Sequence, residues 1–233
     1  MRQQFITKIF SMCLLVIVIL PLSSCNKEDS ADVNQDRIHT VYEVFYNEND
    51  DVTNVTARFR FGSRTGTLLE LSGDAGVTFN GQAMPYSNLH SGHWRQFAGK
   101  VDGGTFVYEN VDNEIYTNTV NSFADIAFPE SFTELNKTEA YSLEWVGSTL
   151  DQNEIVGLFV GSWAWGDDAL FLQSANGSSD IVMGVNGLSN LPLGSATVYM
   201  DRWTETPAPQ TPDAGGIIIG KHRAQNVSVN IID

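Results

Sequence analysis

The segment Trp163-Ala164-Trp165-Gly166-Asp167-Asp168 brings together the side chains of this chain best suited to holding a ligand. In an extended backbone, residues two apart point to the same side, so both indoles share a face. Aromatic rings stack on the apolar faces of sugars, and carboxylates accept their hydroxyl protons. Trp163, Trp165, Asp167 and Asp168 are therefore the candidate ligand-binding residues, and Trp94 and Trp203 are the tryptophans that could join them. The competing reading has one or both indoles of the segment capping a β core while the aspartates face water.

Two other clusters are weaker. Asn47-Glu48-Asn49-Asp50-Asp51 is rich in oxygen ligands, but it has no glycine at the sixth position. Arg58 stands where a twelfth-position glutamate would close a calcium loop, so a solvated hairpin turn is expected. His90-Ser91-Gly92-His93 places two imidazoles close together, with only His39 and His222 elsewhere and no His-Glu-x-x-His. A loop with two exposed histidines is expected there, not a metal site. The nucleophile elbow Gly-x-Ser-x-Gly, the phosphate-binding loop and the dinucleotide fingerprint are all absent from the sequence. A glycosidase would need two carboxylates across a cleft, and among 28 acidic residues no pair stands out. The expectation is a protein with no catalytic residue, no bound metal and no cofactor.

Cys25 carries a different chemistry. Ahead of it lie Arg2 and Lys8, an apolar run from Met12 to Leu20, and Leu22-Ser23-Ser24. A basic start, a short apolar core and small residues at the cut make a secretory signal over residues 1–24, too short for a retained spanning helix. Leu-Ser-Ser-Cys resembles the lipobox of bacterial lipoproteins, which implies that Cys25 is acylated and becomes the new N-terminus. Two or three acyl chains, at roughly 0.8 kcal/mol per buried CH₂, would hold the protein on a membrane. Residues 25–36 are polar and acidic and are expected to form a flexible lipidated tether. Lys27-Glu28-Asp29 behind the cysteine resembles the surface-export signal of Bacteroidota lipoproteins, implying an outer-membrane protein that faces outward; the periplasmic face is the alternative. Asp29-Ser30-Ala31 resembles the O-glycosylation acceptor of that phylum; an ordinary linker is the alternative.

Cleavage before Cys25 leaves 209 residues with 11 basic against 28 acidic side chains. So acidic a surface repels nucleic acid and anionic lipid, which excludes a nucleic-acid partner and leaves the lipid as the membrane contact. The mature chain would hold no thiol, since Cys13 departs with the signal and Cys25 is consumed. Its stability must come from a packed core, which a 42% hydrophobic composition can supply.

The elements that position these residues read as strands throughout. Ile38–Tyr46 is dense in β-branched and aromatic residues, and Val55–Phe61 alternates with period two. Shorter strands are expected at Leu68–Leu71, Val77–Asn80, Thr105–Glu109, Ile115–Val120 and Ala124–Phe128, with Gly73, Gly81, Gly92 and Gly103-Gly104 at turns. Polar residues 129–138 mark a boundary. Seven further strands follow, at Ala140–Val146, Ile155–Val160, Leu170–Gln173, Ile181–Val185, Ala196–Met200, Gly216–Gly220 and Val227–Ile232. The Pro-rich stretch Thr206–Pro212 is expected to protrude, since proline cannot sit in an interior strand.

The fold class is thus all-β. The lipobox, the acidic tether, the Asn80-Gly81 turn and the strand Tyr116–Val120 together resemble uncharacterised Bacteroidota surface lipoproteins. That resemblance implies two tandem immunoglobulin-like β-sandwiches, over residues 37–130 and 131–233. With no catalytic constellation in the sequence, the expectation is a lipid-anchored surface protein that binds or scaffolds without catalytic activity, with a glycan or a surface protein as partner. Two rivals are a glycan-binding accessory of a polysaccharide uptake system and a fimbrillin-like adhesive subunit. The latter would use the alternating C-terminal stretch 225–232 to join another sheet.

Overall fold

The computed structural model describes residues 27–161 and 168–233. Its first half contains β1 (Glu28–Asp29), β2 (Ile38–Asn47), β3 (Val52–Phe61), β4 (Leu68–Glu70), β5 (Gly76–Phe79), β6 (Gln82–Ala83), β7 (Tyr86–Ser87), β8 (Gly92–Ala98), β9 (Gly104–Glu109) and β10 (Ile115–Val120). Its second half contains β11 (Glu134–Asn136), β12 (Tyr141–Glu144), β13 (Glu154–Gly161), β14 (Asp168–Gln173), β15 (Asp180–Met183), the one-turn helix α1 (Val185–Leu188), β16 (Gly194–Pro207), β17 (Gly216–Arg223) and β18 (Val227–Ile232). The fold is all-β, as the period-two pattern requires.

Two apolar cores fill it. In the first, β9, β10, β5 and β6 form a small sheet that packs over β2 and β3. Tyr42, Phe59, Phe79, Phe106 and Tyr108 meet there ring to ring, with Phe59 and Tyr108 centroids 4.6 Å apart. Asn80 and Gly81 both take positive φ, at 47° and 75°, as the two-residue β5–β6 turn demands. In the second core the β12–β15 ribbon covers β13, β16 and β18, burying Leu143, Leu158, Met183, Met200 and Ile231.

One sheet runs through both halves, in the order β1-β4-β3-β2-β17-β16-β13-β14. Its seam is the parallel pairing of β17 on β2, from Gly216 opposite Thr40 to Arg223 opposite Asn47. The long β16 lets this happen. Its C-terminal part pairs with β17 and its N-terminal part with β18, while β13 takes its other edge. β18 also pairs with β11, so the C-terminal strand has a neighbour on each side within this chain.

Four expectations need correction. Residues 124–128 form no strand and make a single bridge, Ala127 to Val146. Thr206–Pro212 does not protrude. Pro207 ends β16, where a missing N–H is tolerated, and the loop folds back so that Gln210 exchanges two hydrogen bonds with Asn118 (2.7 and 3.0 Å). The stretch read as a tether is engaged from Lys27 onward. β1 pairs with β4, and Gln35 is buried, donating to the Ser30 carbonyl at 2.7 Å. Ser30 is fully buried and its hydroxyl accepts from Ser72 N–H, which leaves no accessible oxygen for a glycan.

Candidate functional site

Cys25, Trp163, Trp165 and Asp167 lie outside the described residues. Asp168 lies within them. It opens β14 opposite Gly161 and stands at the rim of a groove of about 630 Å³ on the outer face of the large sheet.

Alternation builds this groove. Leu158, Val160, Met200, Arg202 and Ile218 point inward and are buried, so their neighbours along each strand face out. The register then sets Phe159 beside Tyr199, Gly157 beside Asp201, Asp201 beside Arg223, Trp203 beside Lys221, and Lys221 beside Phe45. Leu170 and Leu172 on β14 form one wall, 64% and 62% exposed, an apolar surface that marks a contact site when continuous with aromatic rings. Gly157 is needed under the indole. A Cβ there would stand 3.0 Å from Cζ3 of Trp203 and 3.3 Å from Cδ2 of Leu172, so only glycine lets the ring lie this close to the sheet.

Charges in the groove are held in place. Asp201 accepts from Nε and Nη2 of Arg223 at 2.7 and 2.9 Å and lies 2.6 Å from Nζ of Lys221. Burial opposes ionisation of Asp201, but Arg223 and Lys221 outweigh it and keep the carboxyl below the usual carboxylate range. Glu205 pairs with Arg64, and Glu43 with Arg58 at 3.2 Å. Rings flank the cations as well. Nζ of Lys221 lies 4.9 Å from the Phe45 centroid and 5.9 Å from that of Trp203.

Tyr199, Asp201, Lys221 and Arg223 escaped the sequence reading, although Tyr199-Met200-Asp201-Arg202-Trp203 and Ile219-Gly220-Lys221-His222-Arg223 each carry a period-two signal. Of the tryptophans named with the candidate segment, Trp203 lines the groove with Asp168. Trp94 lies on the same sheet face but four strands from Trp203, on β8 opposite Thr56, where it stacks on His90 with ring centroids 4.1 Å apart.

The two histidines of the β7–β8 turn do not act together. His93 is buried, 6% exposed, and not in an exposed loop as expected. Its Nε2 accepts from the Leu71 N–H at 3.2 Å, so Nδ1 donates to the Met84 carbonyl at 2.9 Å. Burial pushes the imidazole below the ordinary histidine range, and the Met84 contact opposes this only in part. Below about pH 6.5 the unfolded chain therefore binds a proton that the folded one refuses. His93's contribution to stability is complete above that pH and falls as the pH drops below it. Urea midpoints compared between about pH 7.5 and pH 5.5 should fall, and His93→Gln should flatten that slope.

The Asn47–Asp51 cluster is the β2–β3 hairpin turn, as expected, yet it is not simply solvated. Asn49 exchanges hydrogen bonds with Asn226 (2.8 and 3.3 Å), and Glu48 accepts from Gln225 N–H at 3.1 Å. Its oxygens tie the two halves together. Among the described residues no group of three His, Cys, Asp or Glu side chains could hold a metal ion, and no helix is long and apolar enough to cross a membrane.

Fold and site together define an all-β protein with an aromatic, charge-paired groove on an open sheet face. No protein-family model and no curated protein matches the sequence. Among solved structures, the chain is similar to one from a study of host cell surface retention of a 1.5-MDa bacterial ice-binding adhesin, at 11% identity and a TM-score of 0.23. The match covers 84% of this chain and 65% of that one, so this chain spans less than two thirds of its length. The likeness is too slight to bear on fold or function.

Proposed function

We propose that this chain is a lipid-anchored protein of the bacterial cell surface that binds a glycan or a surface protein through the outer face of its sheet and performs no chemistry of its own. The observation that carries the reading is the groove around Trp203. Its rings and leucines offer contact area at low entropic cost, while Glu43, Asp201 and Glu205 are each held in an ion pair. Asp201 is held between Arg223 and Lys221 as a fixed, ion-paired charge, an arrangement suited to orienting a ligand.

The anchoring half rests on the signal and Cys25, and it is tested on cells. Cys25→Ala is expected to move the protein from the membrane fraction to the soluble fraction. External protease should digest the wild type on intact cells. Protection until the outer membrane is permeabilised would turn the protein inward and remove the surface role.

A further inference from the structure

Resting on the reading of the groove as a binding site, we infer that its occupant is an acidic polysaccharide. One sugar carboxylate meets Lys221 and Arg223 while a pyranose face lies against Trp203.

Charge is the first argument. Glu43, Asp168, Asp201 and Glu205 line the groove, and four cations stand with them: Arg64, Lys221 and Arg223 in the lining and Arg58 on Glu43. This balance occurs in a chain with 28 acidic and 13 basic residues, so an anion meets less repulsion here than the chain's overall charge would impose. Within the groove the pairing is uneven. Glu205 and Glu43 each have their own arginine, whereas Lys221 and Arg223 share the single carboxylate of Asp201. Around Lys221 and Arg223 this leaves one positive charge in local excess, offset only by Asp168 at the start of β14, and an anionic ligand would match it.

Donor geometry is the second. Arg223 spends Nε and Nη2 on Asp201, and among the described residues its Nη1 has no hydrogen-bond partner. The guanidinium lies 5.4 Å from the Phe45 centroid and 5.9 Å from that of Tyr199, with its side chain 26% exposed. Lys221 is flanked in the same way by Phe45 and Trp203. Both cations are oriented before the ligand arrives, so little side-chain entropy is lost on binding. Trp203, beside Lys221 across the β16–β17 pair, supplies an apolar ring within one side chain's reach of the excess charge.

Length is the third. The groove crosses β14, β13, β16, β17 and β2, which at strand spacing is about 19 Å. That is room for several sugars in a chain.

The test is affinity gel electrophoresis of the full-length chain in non-ionic detergent. The gels carry polygalacturonate, alginate or hyaluronate, with methyl-esterified polygalacturonate and dextran as uncharged partners. Retention by at least one acidic polymer is expected, weakened at least tenfold by esterification and by raised salt. Trp203→Ala, Lys221→Met and the charge-neutral pair Asp201→Asn/Arg223→Gln should each weaken it at least tenfold, and Trp203→Phe should restore part of it. Circular dichroism and Tm show that each variant is folded. Equal retention on esterified and acidic polymer overturns the acidic ligand while keeping the groove as the site. Unchanged retention of a folded Trp203→Ala overturns the groove. Retention by none of the acidic polymers overturns the inference, as does a purified surface protein bound through the same residues; in that last case the binding face itself stands.

Discussion

Replacing Arg202 by methionine is expected to destabilise the protein by about 3–5 kcal/mol, the range for breaking one side of a buried ion pair. The Arg202 side chain is 2% exposed and that of Glu154 is 8% exposed, and they meet on the inner face of β16 and β13. The guanidinium also donates to the carbonyls of Ser148 and Thr149 at 2.8 and 2.9 Å, while Glu154 accepts from the Asp151 N–H at 2.7 Å. Arg202 thereby fastens the 148–154 turn to the second core, beside Trp145, whose Nε1 donates to the same Ser148 carbonyl. Methionine fills the volume but leaves the Glu154 carboxyl buried without its partner. The companion variant Arg202→Met/Glu154→Leu removes both charges. It should recover at least half of the loss, because Ser148 and Thr149 are exposed and water can take up their carbonyls. Urea unfolding at neutral pH reads both changes. A single variant within about 1 kcal/mol of wild type would mean that water reaches Glu154 in the folded state.

Arg202 also shows where sequence reading stops. Its neighbours Met200 and Trp203 sit in an alternating run, and alternation alone places position 202 inside with Met200. An arginine at an inward position signals a buried partner, but nothing in the order of residues says that the partner is Glu154, on another strand. Local features were legible. The Asn80-Gly81 turn follows from two positive φ values that few other dipeptides tolerate. β2, β3, β10 and β18 fall where β-branched residues alternate. β8 was missed because Gly92-His93-Trp94-Arg95-Gln96-Phe97-Ala98 mixes polar and aromatic residues on both faces. Its buried His93 satisfies backbone groups of Leu71 and Met84 that no local pattern could name.

The groove illustrates the same limit on a larger scale. Asp168 and Trp203 were both visible as residue types, yet their shared surface depends on the order β17-β16-β13-β14, which is set by pairings between distant strands. The parallel seam of β17 on β2 was invisible for the same reason. Parallel pairing needs a long crossover, and here almost the whole chain supplies it.

That seam decides the second large effect. Phe59→Ala should cost about 3–5 kcal/mol, since the ring is fully buried and is touched by Tyr108, His93 and Tyr42 at centroid distances of 4.6, 5.7 and 6.4 Å. Phe59 belongs to the first core and Arg202 to the second half of the sheet. Were the cores independent, calorimetry would resolve two transitions, and each variant would lower its own. The contacts across the seam argue for one. β17 and β2 pair along eight residues, the Ala214 N–H donates to Asp36 O at 2.9 Å, and Gln210 binds Asn118. Around them, Arg64 binds Glu205 and His222 lies between Asp125 and Glu48 at 2.9 and 3.4 Å. Opening the first core would strip β2 from β17 and expose the back of the groove. The expected result is therefore a single endotherm with equal calorimetric and van't Hoff enthalpies, lowered as a whole by either variant. Groove binding should then stabilise the first core although no groove residue belongs to it, because a ligand held on β16 and β17 favours the state in which both cores are closed.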